Sequence, residues 1–554
     1  MNTLSFDTQP TLYWLLGFGG LVLLSGFTLL PYFKPTIKIA DGWFLLLLVA
    51  LLVMMRLPVV LFNQEIDPDE SQNISHAITL WTDPVYWRSV DGTTIGPLDQ
   101  YVLLIPKLFG LPFDYTSARW VGLACVVIAL FFFYFSAKLW FGQSVARLAL
   151  LPPLALFAFT QHSGFVHYTS EHVPMAILSV VLWFFARIYT HTGNYYRKFF
   201  WLGFFASMTP FGKLQAIPAI GVIGLFTLMW LYRERRQGRV PSFERAALLL
   251  LAGTLLFPLV VSILAGYTGV FQDFIKFYFG ANLAYGSAQP LWVGILNLPS
   301  YLSKSSDFQN FIGLTTLLLV VTLTTGWWRK PVLKTSPIII SFCICFLLAS
   351  LYAVLKPGNE FTHYFLWLIF PVSLLNAWLL SELMELGLKS QRIWALAWCG
   401  GIILTIGFRA AQAHPLNQYP SHATLNRQLP ESLVSKAIKK YAQAGDTLVV
   451  WGWMCRYYVE TQMVEGTAEN HTERCIFEHS MRNEYRERFL SNIQRTNPKV
   501  FVDAVGKNNH WVTDRATQGH ESFGDLGDFV KNHYLYMGMV DETRIYVRKT
   551  GLKK

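Results

Sequence analysis

The stretch WFLLLLVALLVMMRLPVVLFNQEIDPDESQNISHAITLW, residues 43–81, decides the fold. Its first part, 43–62, is apolar apart from Arg56 and has the ~20-residue length a helix needs to cross a bilayer. It runs directly into four carboxylates within six residues: Glu65, Asp67, Asp69 and Glu70. A short helix is expected from 71 to 81, with Asp69 or Ser71 capping it. A membrane span that delivers a carboxylate cluster to its own surface points to chemistry at a bilayer face.

Working outward, the same apolar signal recurs at 11–31, 118–137, 146–162, 173–190, 199–213, 214–232, 246–267, 309–327, 337–355, 363–381 and 393–411, giving about twelve crossings. The 554 residues are 53% hydrophobic and only 14% charged, against about 25% charged in soluble domains. A soluble enzyme is therefore excluded. So is a β-barrel, whose strands would alternate apolar and polar residues. Pro210 and Gly212 make 199–213 and 214–232 the weakest pair, with a broken or re-entrant segment as the alternative.

The net charge of +11 belongs to topology rather than to nucleic acid. Alternate loops carry Lys34 and Lys38; Lys138 and Arg147; Arg187, Arg197 and Lys198; Arg233, Arg235, Arg236, Arg239 and Arg245; Arg329, Lys330 and Lys334; Lys389 and Arg392. The positive-inside rule makes those loops cytoplasmic. The complementary segments, about 63–117, 163–172, 268–308 and 356–362, then face outward. With no basic residue before the first helix and no small-residue cleavage site after it, an uncleaved chain with both termini outside is expected.

The chain divides into a membrane domain, 1–411, and a soluble α/β domain, 412–554. In the latter, strand-like runs at 446–453, 498–505 and 543–549 alternate with helix-like runs around 431–443 and 481–495. Cys125, Cys343, Cys345 and Cys399 lie in apolar helices as packing residues. Cys455 and Cys475 fall in the soluble domain, where an oxidising compartment would permit a disulfide. Trp451, Trp453, Tyr457 and Tyr458 read as strand core, with sugar stacking as the alternative.

The polar residues of the outward segments form a candidate site. One carboxylate of the first loop suits a general base, since burial and like charges raise its pKa toward neutrality. HYTSEH (167–172) places Glu171 and His172 at a helix mouth, and KPGNEFTHY (356–364) adds Lys356, Glu360, His363 and Tyr364. Arg56 and Lys213 are cations within apolar stretches, a costly placement that marks function by default. Snorkelling to the interface is the structural alternative for Arg56. Together these residues describe a pocket that binds a lipid phosphate and activates a nucleophile. Asp67, Asp69, Glu171 and His172 would also suit a divalent cation.

The order Arg56, Asp69-Glu70, short helix, Arg119 in SARWVGL, Glu171-His172, Lys213 and HYFLWLIFP (363–371) resembles the GT-C glycosyltransferases, in particular the bacterial aminoarabinose transferase and protein O-mannosyltransferase group. The resemblance spans most of the membrane region, and the tail, with VVWGW and FVDAV, looks like the periplasmic domain of bacterial members. It implies a GT-C-like fold in a bacterial inner membrane with a periplasmic active site over the helices. It further implies a polyprenyl-phosphate-linked sugar as donor, Asp69 as base with Glu70 beside it, and Lys213, Arg56, Arg119 and His363 as phosphate contacts. One departure stands out. The aminoarabinose group carries a Lys-Pro-Pro-Leu type string in the first loop, where this chain has TIGPLDQY (94–101); Arg88 or Lys107 would have to replace that lysine.

The mechanism so implied is direct, inverting displacement at the anomeric carbon, with a lipid, glycan or protein hydroxyl as acceptor. No nucleotide is needed, and no Walker-type or dinucleotide-binding glycine string is present. Two other classes fit parts of the sequence. A twelve-helix secondary transporter would use Arg56 and Lys213 for an anion, but no internal repeat accompanies them. An oligosaccharide ligase or polymerase would differ in using a lipid-diphosphate donor.

Overall fold

The computed structural model describes residues 7–190, 195–238, 242–286, 289–328, 336–412, 419 and 428–549. Arg239, Arg329, Lys330 and Lys334, counted among the basic loop residues, lie outside the described residues. Every one of the twelve expected apolar segments contains a helix. Among the described residues, ten helical stretches are long and apolar enough to cross a membrane. Of the other two, Gln143–Phe159 has 17 residues and Tyr195–Met208 has 14, the second only ~21 Å long at 1.5 Å per residue.

The weak pair is broken where the sequence suggested. The helix Tyr195–Met208 gives way to a tight turn at Thr209–Phe211; Lys213 is extended (φ −152°, ψ 127°), and a second tight turn, Leu214–Ala216, leads into Ile217–Arg236. Pro210, Gly212 and Pro218 explain the interruption, because proline removes a donor and glycine weakens the helix.

The helices Tyr115–Phe141, Gln143–Phe159 and Leu366–Met384 form the middle of the bundle; Leu148, Leu151, Leu154, Phe133, Leu374 and Leu380 are fully buried there. One end of the bundle is tied by Asp41, which accepts from Tyr134 Oη and Arg147 Nη2 and pairs with Lys138. Helix alternation puts the segments 62–114, 160–171, 209–216, 268–305 and 356–365 at the opposite end.

At that end the first loop forms the helix Pro68–Thr82. It starts earlier than the sequence suggested, and its cap is Asp67, not Asp69 or Ser71. The Asp67 carboxylate accepts from the Asp69 amide (3.1 Å), and Pro68 occupies the first helical position, where no amide donor is needed. The segment 268–308, expected as a loop, contains a wide-turn helical segment Phe274–Gly280 and the helix Leu291–Ser303.

The C-terminal domain packs onto this end. Its sheet runs β2 (Val464–Glu465), β1 (Thr447–Trp451), β3 (Val500–Asp503), β5 (Thr543–Arg548), β4 (Tyr534–Val540), parallel on the β2-β1-β3 side and antiparallel through β5 and β4. Trp451 is core on β1, as expected; Tyr457 and Tyr458 are also core but lie on the helix Arg456–Thr461, not on a strand. Cys455 and Cys475 are both buried free thiols, so the disulfide that the sequence allowed is not formed.

Candidate active site

The helix Pro68–Thr82 is polar yet almost wholly buried, because the C-terminal domain covers it. Gln72 Nε2 donates to His471 Nε2 (3.1 Å), His76 Nδ1 to Glu465 (2.9 Å), and Asn470 Nδ2 to Ser75 Oγ (2.7 Å). These bonds pair groups that would be costly to bury alone, while His76 Nε2, Glu465 Oε1, Asn470 Oδ1 and His471 Nδ1 stay buried without a partner. The bonds also fix the first turn of the helix, and with it the three adjacent carboxylates Asp67, Asp69 and Glu70, against the membrane helices.

The three carboxylates have different partners. Glu70 is fully buried and held by Arg119, whose Nε donates at 2.7 Å and Nη2 at 2.5 Å; the Tyr168 amide adds a third donor at 2.8 Å. The remaining Arg119 donors go to the carbonyls of Val59, Phe62 and Gln64. All five guanidinium N–H groups are thus engaged within the fold. That leaves Arg119 no donor for a phosphate and Glu70 no role with substrate: the pair locks the end of the second membrane helix to the loop.

Asp69 is half-buried and lines a cavity of about 180 Å³ with Asp67, His162, His363, Trp453 and Trp511 among others. Burial and the neighbouring Asp67 carboxylate push Asp69 up to about 7, while His167 and Lys213 act in the other direction. Asp67 is held low: burial would raise it, but His167 and its bond to the Asp69 amide more than offset that. One carboxylate is therefore poised near neutrality beside one that stays ionised.

Lys213 donates to Ser170 Oγ (2.8 Å) and to the Glu171 carboxylate, and its ammonium sits 4.9 Å from the Tyr364 ring centre. Burial alone would raise Glu171; the Lys213 ammonium and His363 hold it at about 2. Lys213, Lys356, Tyr285 and Tyr364 line a second, larger and mainly apolar cavity of about 480 Å³. Lys356 Nζ donates to the Gln289 carbonyl (2.9 Å). The helix break thus presents a buried cation to an apolar groove.

The other expected site residues fall differently. His363 lines the Asp69 cavity, not the Lys213 groove, and stacks on Phe361 (5.4 Å, 12°). Arg56 is buried in its helix, donates from Nη2 to the Val166 carbonyl (3.1 Å) and leaves Nη1 without a partner; it lines neither cavity. His172 Nδ1 accepts from the Thr169 amide (3.1 Å) and its ring stacks on Tyr168. Arg88 pairs with Asp83 and Lys107 lies over Phe113, so neither stands in for the lysine absent from 94–101. Lys356 is the second cation at the groove.

The metal set suggested by the sequence is not brought together. Glu171 is bound to Lys213, and His172 turns its ring to Tyr168. Asp69, His167 and His363 instead place one ligand atom each within 4.8 Å of one another. His167, the first residue of HYTSEH, escaped the sequence reading although it lay in a string already singled out. His510 and Trp511 were also missed as cavity residues, because only the folded C-terminal domain brings them over Asp69; Trp453, read as strand core with sugar stacking as the alternative, lines the same cavity. Asp99, in TIGPLDQY, is a further buried carboxyl; burial holds its pKa well above the usual range, and neither side-chain oxygen has a partner.

No family model and no curated protein matches this sequence. Solved structures do match. ArnT from Cupriavidus metallidurans, an aminoarabinose transferase, bound to undecaprenyl phosphate superposes with a TM-score of 0.54 at 14% identity, over 93% of this chain and 100% of that one. Its apo form gives 0.52 at 12% identity, over 92% and 98%. The chain shares the fold of these two structures, here a helical membrane domain followed by a small α/β domain.

Proposed function

We propose that this protein is a membrane glycosyltransferase that moves a sugar from a polyprenyl-phosphate carrier to an acceptor hydroxyl. The observation that carries the reading is the division of labour between two neighbouring cavities. One holds a carboxylate poised near neutrality, the other a buried ammonium at the edge of an apolar groove. The ArnT structure of the same fold binds undecaprenyl phosphate, which supports a lipid phosphate in the groove here.

In the reaction, Asp69 accepts the proton of the acceptor hydroxyl as its oxygen attacks the anomeric carbon. The bond from that carbon to the phosphate oxygen breaks, and the electron pair stays on the departing polyprenyl phosphate. Lys213, oriented by Glu171 and Ser170, stabilises the charge that grows there. Attack from the face opposite the leaving group inverts the anomeric centre. Asp67 remains ionised and supports the oxocarbenium character of the transition state through space. Arg119 and Glu70 position the loop and contact neither substrate.

The described basic loop residues lie at the far end of the bundle, which by the positive-inside rule supports the reading of an extracytoplasmic site in a bacterial inner membrane. Asp69, His167 and His363 are the residues that would hold a divalent cation here, and transfer lost in chelator and restored by one ion would assign that cation to the reaction.

The test is transfer of radiolabelled sugar from a panel of polyprenyl-phosphate sugars by membranes expressing wild type or Asp69→Asn at matched levels. Transfer in the wild type, reduced by about 10²- to 10⁴-fold in the variant, is expected for loss of a general base. Equal transfer by both would remove Asp69 from the role. Transfer only from lipid-diphosphate donors would reassign the leaving group.

A further inference from the structure

Above Asp69 the C-terminal domain supplies an aromatic wall that the proposed chemistry does not use. Trp511 is 41% exposed although it lines a cavity. Its ring lies parallel to Phe361 (6.3 Å, 14°) and meets Trp453 edge-on (4.9 Å, 78°). Trp453 is itself stacked flat on His471 (4.3 Å, 9°), which fixes its plane. Its indole Nε1 is buried, and its N–H, a donor only, has no acceptor. A buried donor left unpaired is costly, and a ligand oxygen that reached it as the ring turned would complete it.

The polar residues of the cavity narrow the ligand. His162, Ser163, Thr362, His363 and His510 offer hydrogen-bond donors and acceptors, whereas Asp67, Asp69 and Glu360 supply carboxylates. Not one lining residue is Lys or Arg. A phosphorylated group would find no lining Lys or Arg, and the carboxylates of Asp67 and Asp69 facing it; Glu360 is paired with Lys304. A neutral polyol with a flat C–H face fits both features: its face lies on an indole and its hydroxyls meet the rim. Because the cavity contains the base and not Lys213, its occupant is the nucleophile's side of the reaction.

We propose that Trp453 and Trp511 form an acceptor subsite for a neutral saccharide, so that the hydroxyl activated by Asp69 belongs to a carbohydrate rather than to a peptide or a phosphate-bearing headgroup. This rests on the transferase reading for the role of Asp69, but saccharide binding at the subsite is measurable without turnover.

The test uses the purified full chain in nanodiscs. Saturation-transfer NMR would follow maltose, cellobiose and N,N′-diacetylchitobiose, and a separate titration would follow undecaprenyl phosphate. At least one disaccharide is expected to bind the wild type. Affinity should fall about tenfold in Trp511→Ala, which corresponds to ~1.4 kcal/mol, and stay close to wild type in Trp511→Phe, which keeps a stacking face. Trp453→Phe keeps the ring and removes the unpaired donor, and should also weaken binding. Undecaprenyl phosphate should bind all four proteins alike. The subsite is overturned if no disaccharide binds while undecaprenyl phosphate does, if Trp511→Ala binds saccharide as the wild type does, or if a Ser/Thr peptide binds in the disaccharide's place. Saccharide binding without any binding of undecaprenyl phosphate would support the subsite and count against the donor reading instead.

Discussion

Asp69 and Glu70 are adjacent in sequence and opposite in proposed role, and the difference lies in what each one touches. The string DPDE announced a carboxylate cluster but not its assignments, because Arg119, the residue that claims Glu70, lies 49 positions away. Substitution should separate the two. Glu70→Gln leaves a buried guanidinium without its counter-charge, a loss of about 3–5 kcal/mol, so the protein should melt at clearly lower temperature. Asp69→Asn removes a half-buried carboxylate that its surroundings disfavour when charged, and should leave thermal stability unchanged while transfer collapses. A thermal melt of both variants beside the transfer assay decides it; equal melting temperatures would return Glu70 to the list of reacting groups.

Asp67 sets the working pH of its neighbour. Asp69 must be ionised to take a proton, and its pKa stands at about 7. Transfer should therefore rise with pH through about 7 and level off above it, falling roughly tenfold for each pH unit well below. Asp67→Asn removes the like charge, lowers the Asp69 pKa and moves the rising limb to lower pH. Asparagine caps a helix as well as aspartate does, so the fold should survive. A pH–rate profile that does not move would show that the limb belongs to another group.

Among the elements, the apolar helices were the most legible, since a bilayer imposes a length and a composition that single residues seldom disguise. The break at Lys213 was legible as well, from Pro210 and Gly212. Less so was β4, whose side chains are mostly exposed and so show no apolar alternation. The docking of the first loop against the break was not legible at all. TIGPLDQY lacks a lysine, yet Gly96 donates its amide to the Gly212 carbonyl (2.6 Å), and a Cβ at Gly96 would stand 2.0 Å from the Phe211 carbonyl oxygen. The loop therefore supports the lysine on the break by backbone contact instead of supplying one of its own. Gly96→Ala should push the two segments apart and lower transfer, with a weaker response to donor concentration, while Gly42→Ala in the second membrane helix, with open space around it and no left-handed backbone, tests the effect of glycine replacement alone. Unchanged donor dependence in Gly96→Ala would mean that the position of Lys213 does not rely on this contact.

At the scale of the whole molecule, the boundary near residue 411 marks a change in composition rather than a change in packing. The C-terminal domain completes the site, and Arg488 is where that completion is most concentrated. From the helix Arg482–Thr496 its Nε donates to Glu469 (2.9 Å), its Nη2 pairs with Asp91 of the first loop, and its guanidinium lies 3.4 Å from the centre of the Phe277 ring. Three separate regions thus meet on one cation, and Asp91 and Glu469 are both buried. Arg488→Met fills the same space without charge, leaving two carboxylates unpaired, at a cost of about 3–5 kcal/mol. If the domain's seat on the loop depends on this cation, the variant should lose the C-terminal domain earlier in limited proteolysis and weaken for the acceptor before the donor, because Trp453 and Trp511 move with the domain while Lys213 does not. Arg488→Lys keeps the charge but not the fork that reaches both acids, and should fall between. Proteolysis and substrate dependence at wild-type levels in both variants would show that the buried hydrogen bonds of Gln72, Ser75 and His76 hold the domain without it.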